Sequence, residues 1–148
     1  MKYNIDMNKI KKVVAGGLAG LVLGLTSPAY AKDNSCHKWK FDNQTIEVCM
    51  YDGNADGIID SISRTEYDHN GKEIKKSFDI DFDGKMDLVW TFEYDQNGRL
   101  IKESFDTDGN GKIDSIMTSE YNNGKIIKNS WDKNADGIVD SVITFGYD

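Results

Sequence analysis

Proline is nearly missing from this chain: its one copy is Pro28, and none follows it. Nothing after that point has the composition of a stiff proline-rich linker, and backbone hydrogen bonding can run uninterrupted. Histidine is almost as scarce, with His37 and His69 alone. That excludes an imidazole cage for a transition metal and leaves no visible nucleophile-and-base pair, so the chain reads as a binding protein rather than an enzyme. Basic residues are outnumbered, 18 against 25 acidic for a net charge of −7, which excludes nucleic acid as a partner. Long apolar runs are missing too. The longest, Val13 to Leu25, has 13 residues and falls short of a membrane span.

That run sits where a secretory signal would have it. Lys2, Lys9, Lys11 and Lys12 precede it, and Pro28-Ala29-Tyr30-Ala31 follows as an A-x-A cleavage signature. A bacterial-type signal peptide over residues 1–31 is expected, with no lipobox before Cys36 and no membrane span after its removal. Export to the periplasm or beyond the cell follows. Residues 32–148 then form a single domain. Setting aside four lysines and one aspartate in the signal takes the formal charge from −7 to −10.

Cysteine occurs twice, as Cys36 and Cys49, which excludes a multi-bridge framework and leaves one expected disulfide in an oxidising compartment. A two-residue turn at Asp42-Asn43 sets the pair directly opposite on neighbouring strands, although other registers are open. Such a bridge over a short loop stabilises by roughly 3 kcal/mol.

What the chain has in quantity is aspartate at fixed spacing. Four stretches read D-x-[DN]-x-[DN]-G-x-[apolar]-D: Asp52 to Asp60, Asp79 to Asp87, Asp106 to Asp114 and Asp132 to Asp140. Their starts are 27, 27 and 26 residues apart. Oxygen-bearing side chains at positions 1, 3 and 5, a glycine at 6, a carbonyl at 7 and a carboxylate at 9 let a loop wrap one hard cation. The candidate ligands are Asp52, Asn54, Asp56, Ile58 (carbonyl) and Asp60; Asp79, Asp81, Asp83, Lys85 (carbonyl) and Asp87; Asp106, Asp108, Asn110, Lys112 (carbonyl) and Asp114; Asp132, Asn134, Asp136, Ile138 (carbonyl) and Asp140. Up to four Ca2+ ions are expected, with the four-carboxylate Asp79 loop holding the tightest.

Between the acidic stretches lie turns at Asn70-Gly71, Asn97-Gly98 and Asn123-Gly124, the strongest short hairpin signal. Alternation flanks them. Met86, Leu88, Trp90, Phe92 and Tyr94 share one face, and Asp87, Val89, Thr91 and Glu93 the other. Folding about each turn pairs Tyr94 with Ile101, Glu93 with Lys102 and Trp90 with Phe105. It likewise pairs Tyr67 with Ile74, Glu66 with Lys75, Tyr121 with Ile127 and Glu120 with Lys128. Two-residue turns serve the first two hairpins, and a three-residue turn centred on Gly124 the third.

The fold class that follows is all-β: an antiparallel meander of about eight or nine strands, built from ~27-residue hairpin repeats joined by acidic loops. The array divides into a half-unit at 36–51, repeats at 52–78, 79–105 and 106–131, and a half-unit at 132–148. Open sheet, sandwich and closed barrel all remain compatible with the pattern.

The acidic stretches resemble EF-hand calcium loops, with a departure. The position-12 glutamate is replaced by Ser63, Trp90, Met117 and Ile143, and the flanks are strands. In this the loops are similar to those of FG-GAP-type β-repeat proteins, and the Asn-Gly hairpins to YD-type surface repeats. The resemblance implies calcium binding by an exported structural or binding module, with the position-9 aspartate closing each site. Two other uses fit the residues. Trp39, Trp90 and Trp131 suit a carbohydrate-binding or adhesive surface, with an extracellular or periplasmic glycan or protein as partner. All-oxygen cages also suit a periplasmic buffer for calcium or a lanthanide.

Overall fold

The computed structural model describes residues 35–40 and 43–147; the expected signal peptide and Asp42 of the first turn lie outside the described residues. Nine strands are present: β1 (Ser35–Lys40), β2 (Thr45–Tyr51), β3 (Ser61–Tyr67), β4 (Glu73–Asp79), β5 (Leu88–Tyr94), β6 (Leu100–Asp106), β7 (Ser115–Asn122), β8 (Lys125–Asp132) and β9 (Ser141–Thr144). They form one antiparallel meander in the order β1 to β9, and no described residue is helical. The sheet is open: β1 and β9 do not pair. Because every connection joins neighbouring antiparallel strands, the four acidic loops all fall at one end and the hairpin turns at the other.

Alternation sorts the side chains as the pleat requires. Leu88, Trp90 and Phe92 share a face with Phe78, Phe105, Met117 and Trp131. Across that face Phe78, Trp90, Phe105 and Trp131 run as a ladder, with ring centroids 5.4, 6.1 and 6.5 Å apart. Among the described residues no second layer covers it, and Trp131 is 43% exposed. The opposite face carries Val89, Thr91, Ser77, Ser104, Thr118 and Ser130 in the middle of the sheet. The buried apolar core is small and lies on this face near the amino-terminal end. It consists of Ile46, Val48, Met50 and Ile62, with Trp39, Ile59 and Phe82 packed against it.

Cys36 and Cys49 are directly opposed in the β1–β2 register and are joined by a disulfide. The charged cross-strand pairs fall where the alternation placed them, Glu66 with Lys75, Glu93 with Lys102 and Glu120 with Lys128. Lys102 and Lys128 each donate to their glutamate at 2.8 Å.

The tyrosine pairings are different. Tyr67 faces Glu73, Tyr94 faces Leu100 and Tyr121 faces Ile126, because a β-bulge follows each Glu–Lys pair. Ile74, Ile101 and Ile127, expected opposite the tyrosines, are the extra residues. The turns change accordingly. In the first two hairpins the N–H of Asp68 donates to Lys72 O and that of Asp95 to Arg99 O, enclosing three residues that end in a left-handed glycine, Gly71 or Gly98. The third hairpin has the two-residue turn, with Asn123 and Gly124 at φ 49° and 79° between the paired Asn122 and Lys125.

The bulge has a use. Tyr94 Oη donates to Glu73 O at 2.8 Å, Tyr121 Oη to Leu100 O at 2.9 Å and Tyr147 Oη to Ile126 O at 2.6 Å. Each acceptor is the residue just before the bulged isoleucine, so the hydroxyl of one repeat closes on the irregular backbone of the repeat before it. A cation lies over each of these rings: Lys72 over Tyr94, Arg99 over Tyr121 and Lys125 over Tyr147, at 4.7, 4.8 and 4.7 Å from the centroid.

Candidate cation-binding loops

The second, third and fourth acidic loops start on the last residue of an even strand, where the pattern Ser-[Phe/Trp]-Asp recurs at 77–79, 104–106 and 130–132, and the first starts at Asp52, just past β2. The aromatic residue turns to one face and the aspartate to the other. Asp79, Asp106 and Asp132 are consequently buried, at 0%, 3% and 7% exposure, while the corresponding Asp52 is half-buried.

All four loops share one hydrogen-bond scheme. Oδ2 of the first aspartate accepts from the position-6 glycine: 2.8 Å from Gly57, 2.9 Å from Gly84, and 2.8 Å from Gly111 and from Gly137. The position-5 side chain accepts from the N–H of Ile58, Lys85, Lys112 or Ile138 at 2.8 Å in every loop. The final aspartate reaches back to position 2. Asp60, Asp87, Asp114 and Asp140 accept from Gly53, Ile80, Thr107 and Lys133 at 2.7, 2.6, 2.6 and 2.6 Å. Its own N–H donates to the carbonyl just before the loop, at 2.7–2.8 Å. Backbone donors thus hold the side chains at positions 1, 5 and 9 in place.

The conformation has a local requirement. The position-6 glycines lie at φ 84–90°, a region open to glycine and costly for other residues. Position 4 is left-handed as well, with Ala55 at 60°, Phe82 at 56°, Gly109 at 66° and Ala135 at 52°. Sequence reading passed over position 4, whose mixture of alanine, phenylalanine and glycine has no ligand chemistry. In the second and third loops it is a contact position. Phe82 packs on the amino-terminal core. Gly109 lies flat on the second loop, where an added Cβ would stand 1.7 Å from Met86 O and 3.1 Å from Asp87 Cα.

The structure brings together part of the expected ligand set. One carboxylate oxygen each from Asp79, Asp81 and Asp87 lie within 4.8 Å of one another, and the same holds for Asp106, Asp108 and Asp114. These are positions 1, 3 and 9. Asp83 stands outside its trio, ion-paired with Lys85 at 3.6 Å. The first and fourth loops, with Asn54 and Asn134 at position 3, show no carboxylate trio among the described residues. There Asn54 Oδ1 and Asn134 Oδ1 accept from Asp56 N and Asp136 N. Cys36, Glu47 and Cys49 also cluster, but both sulfurs are committed to the disulfide.

Electrostatics distinguish the middle loops. Burial pushes the Asp79 carboxyl above its ordinary value, partly offset by hydrogen bonds from Gly84 and Asp83. Asp114 is held low by the side-chain and backbone donors of Thr107, whose Oγ1 lies 2.6 Å from Asp114 Oδ2. In the first, second and fourth loops position 5 N–H donates to Oδ1 of the first aspartate. The third loop lacks that bond, and Asp106 Oδ1 is buried with no hydrogen-bond partner.

Comparison with protein families and with curated proteins finds no match. Among solved structures, the crystal structure of TarM is similar over 89% of this chain, at 13% identity and a TM-score of 0.32. The chain spans 27% of TarM's length.

Proposed function

We propose that this is an exported calcium-binding β-repeat protein, in which calcium held by the acidic loops orders the junctions between hairpins. The observation that carries the reading is Asp106 Oδ1, a carboxylate oxygen buried without a partner on a member of a three-carboxylate cluster. Leaving an acceptor unpaired in such a place is costly, and a bound cation removes the cost. An all-oxygen donor set with three converging aspartates suits a hard divalent ion. The Cys36–Cys49 bridge supports an oxidising compartment, and with it export. The strand flanks and the missing position-12 carboxylate support weak binding, in the ~10⁻⁴–10⁻³ M range of extracellular modules.

Calorimetric titration with calcium, run beside thermal melts, tests this. At a Kd near 10⁻⁴ M, 1 mM calcium stabilises by about 1.4 kcal/mol for each loaded site. The melting temperature should therefore rise clearly between EDTA and millimolar calcium. Coincident melts and no binding heat would sink the proposal.

A second reading, glycan binding, is favoured by the uncovered ladder of Phe78, Trp90, Phe105 and Trp131. Against it, the first two ring contacts are edge-on, at 65° and 75°, which spoils a flat stacking platform. Calcium-independent binding on a glycan array, lost in Trp131→Ala, would favour that reading over the first.

A further inference from the structure

The four loops share a motif but do not stand in the same relation to their neighbours. The second loop packs into the amino-terminal core through Phe82. Its Met86–Asp87 backbone is the floor on which Gly109 of the third loop rests, so closely that no side chain fits between. Asp87 is also a member of the second loop's own carboxylate trio, with Asp79 and Asp81. A ligand of one cluster and the contact point of the next loop therefore share one backbone segment, the Met86 carbonyl leading directly into Asp87. These same two loops are the ones in which three carboxylates converge, and the third contains the unpartnered Asp106 Oδ1.

We infer that the second and third loops form one two-cation unit, in which filling either loop raises the affinity of the other and the pair fills before the outer loops. This rests on the calcium reading given above. Cation loading at Asp79, Asp81 and Asp87 fixes the backbone at Met86 and Asp87, and so presents the third loop with a rigid floor. Loading of the third loop clamps the same segment from above. Coulomb repulsion acts the other way, since a first dication weakens the field that draws a second. Positive coupling therefore needs the backbone contact at Gly109.

The position-6 glycine amides report each loop separately, because each donates to the first aspartate of its own loop. The full chain with its disulfide intact is titrated with calcium while the amide resonances of Gly57, Gly84, Gly111 and Gly137 are followed. Gly84 and Gly111 should move together, at lower calcium than the other two and with a Hill coefficient above one. Gly109→Ala should separate their midpoints by about fivefold or more, the lower end of ordinary coupling. Asp87→Asn guards against a folding defect in that variant. It should weaken the Gly111 midpoint by several-fold, whereas Asp140→Asn, which removes a charge from the loop on the other side, should shift it much less. Four independent midpoints, or equal effects of Asp87→Asn and Asp140→Asn, would overturn the pairing and leave the calcium reading standing. If no glycine amide responds to calcium, the calcium reading itself fails.

Discussion

Tyr121 spans a repeat boundary with one atom. Its hydroxyl reaches Leu100 O, a carbonyl placed by the bulge at Ile101, while Arg99 covers the ring. Tyr121→Phe removes the donor and leaves the carbonyl unanswered; the expected loss is about 0.5–1.5 kcal/mol, read from the midpoint of urea unfolding. Asp95, in the second turn, offers a pH test. Hydrogen bonds from the Arg99 backbone and guanidinium hold its carboxyl below the ordinary value. A folded pKa lower than the unfolded value of about 3.9 gives stability that is complete above that value and lost as pH falls through the folded one. Asp95→Asn keeps an acceptor for the turn but does not titrate, so its unfolding midpoint should vary less than the parent's on acidification. An unchanged acid limb would show that this carboxylate has no such part. At this scale the sequence was only half legible. The tyrosines, lysines and Asn-Gly turns were visible, but an unbroken period of two paired Tyr94 with Ile101. A bulge adds a residue without altering composition, so nothing in the alternation discloses it.

Among elements, the β1–β2 hairpin and the acidic loops show what kind of feature carries through from sequence. Cys36 and Cys49 sit opposite each other because Lys40 pairs with Thr45, which puts both sulfurs on one side of the pleat. Replacing both by serine should lower stability by roughly 3 kcal/mol, and the loss should fall first on β1 and β2 in hydrogen exchange. Loss spread evenly over the sheet would contradict that. In the loops, the left-handed glycine at position 6 and the approach of the position 1, 3 and 9 carboxylates in the two middle loops were legible from spacing, because each spacing has a fixed geometric meaning. The contact made by Gly109 could not. It depends on where the preceding loop lies, and a motif describes only itself. Gly84→Ala checks the local requirement. At φ 90° a Cβ is strained even though no atom lies within 4 Å of it, and the expected cost is about 1–2 kcal/mol.

Across the whole molecule, contacts among the described strands join consecutive strands only. Fold class and strand number followed from the repeat, since a hairpin array has few other ways to pair. The open outcome did not, because closure depends on whether the first and last strands meet, and no local pattern encodes that. The buried apolar cluster found among the described residues is built by β2 and β3, whereas every residue of β9 is exposed. Hydrogen exchange should therefore grade along the chain, slowest in β2 and β3 and fastest in β9. Uniform protection would speak for a single cooperative unit instead.

The tyrosine that closes on the preceding bulge has one more consequence. Tyr94, Tyr121 and Tyr147 address acceptors 21 residues behind them, whatever the local turn. The third hairpin has a shorter turn than the first two, yet its bulge and its latch keep the same relation. The two devices together act as a gauge that hides a one-residue difference from the next unit. Length variation of that size is absorbed inside a repeat and never accumulates along the sheet, so units with unequal turns can be strung in series and still mesh.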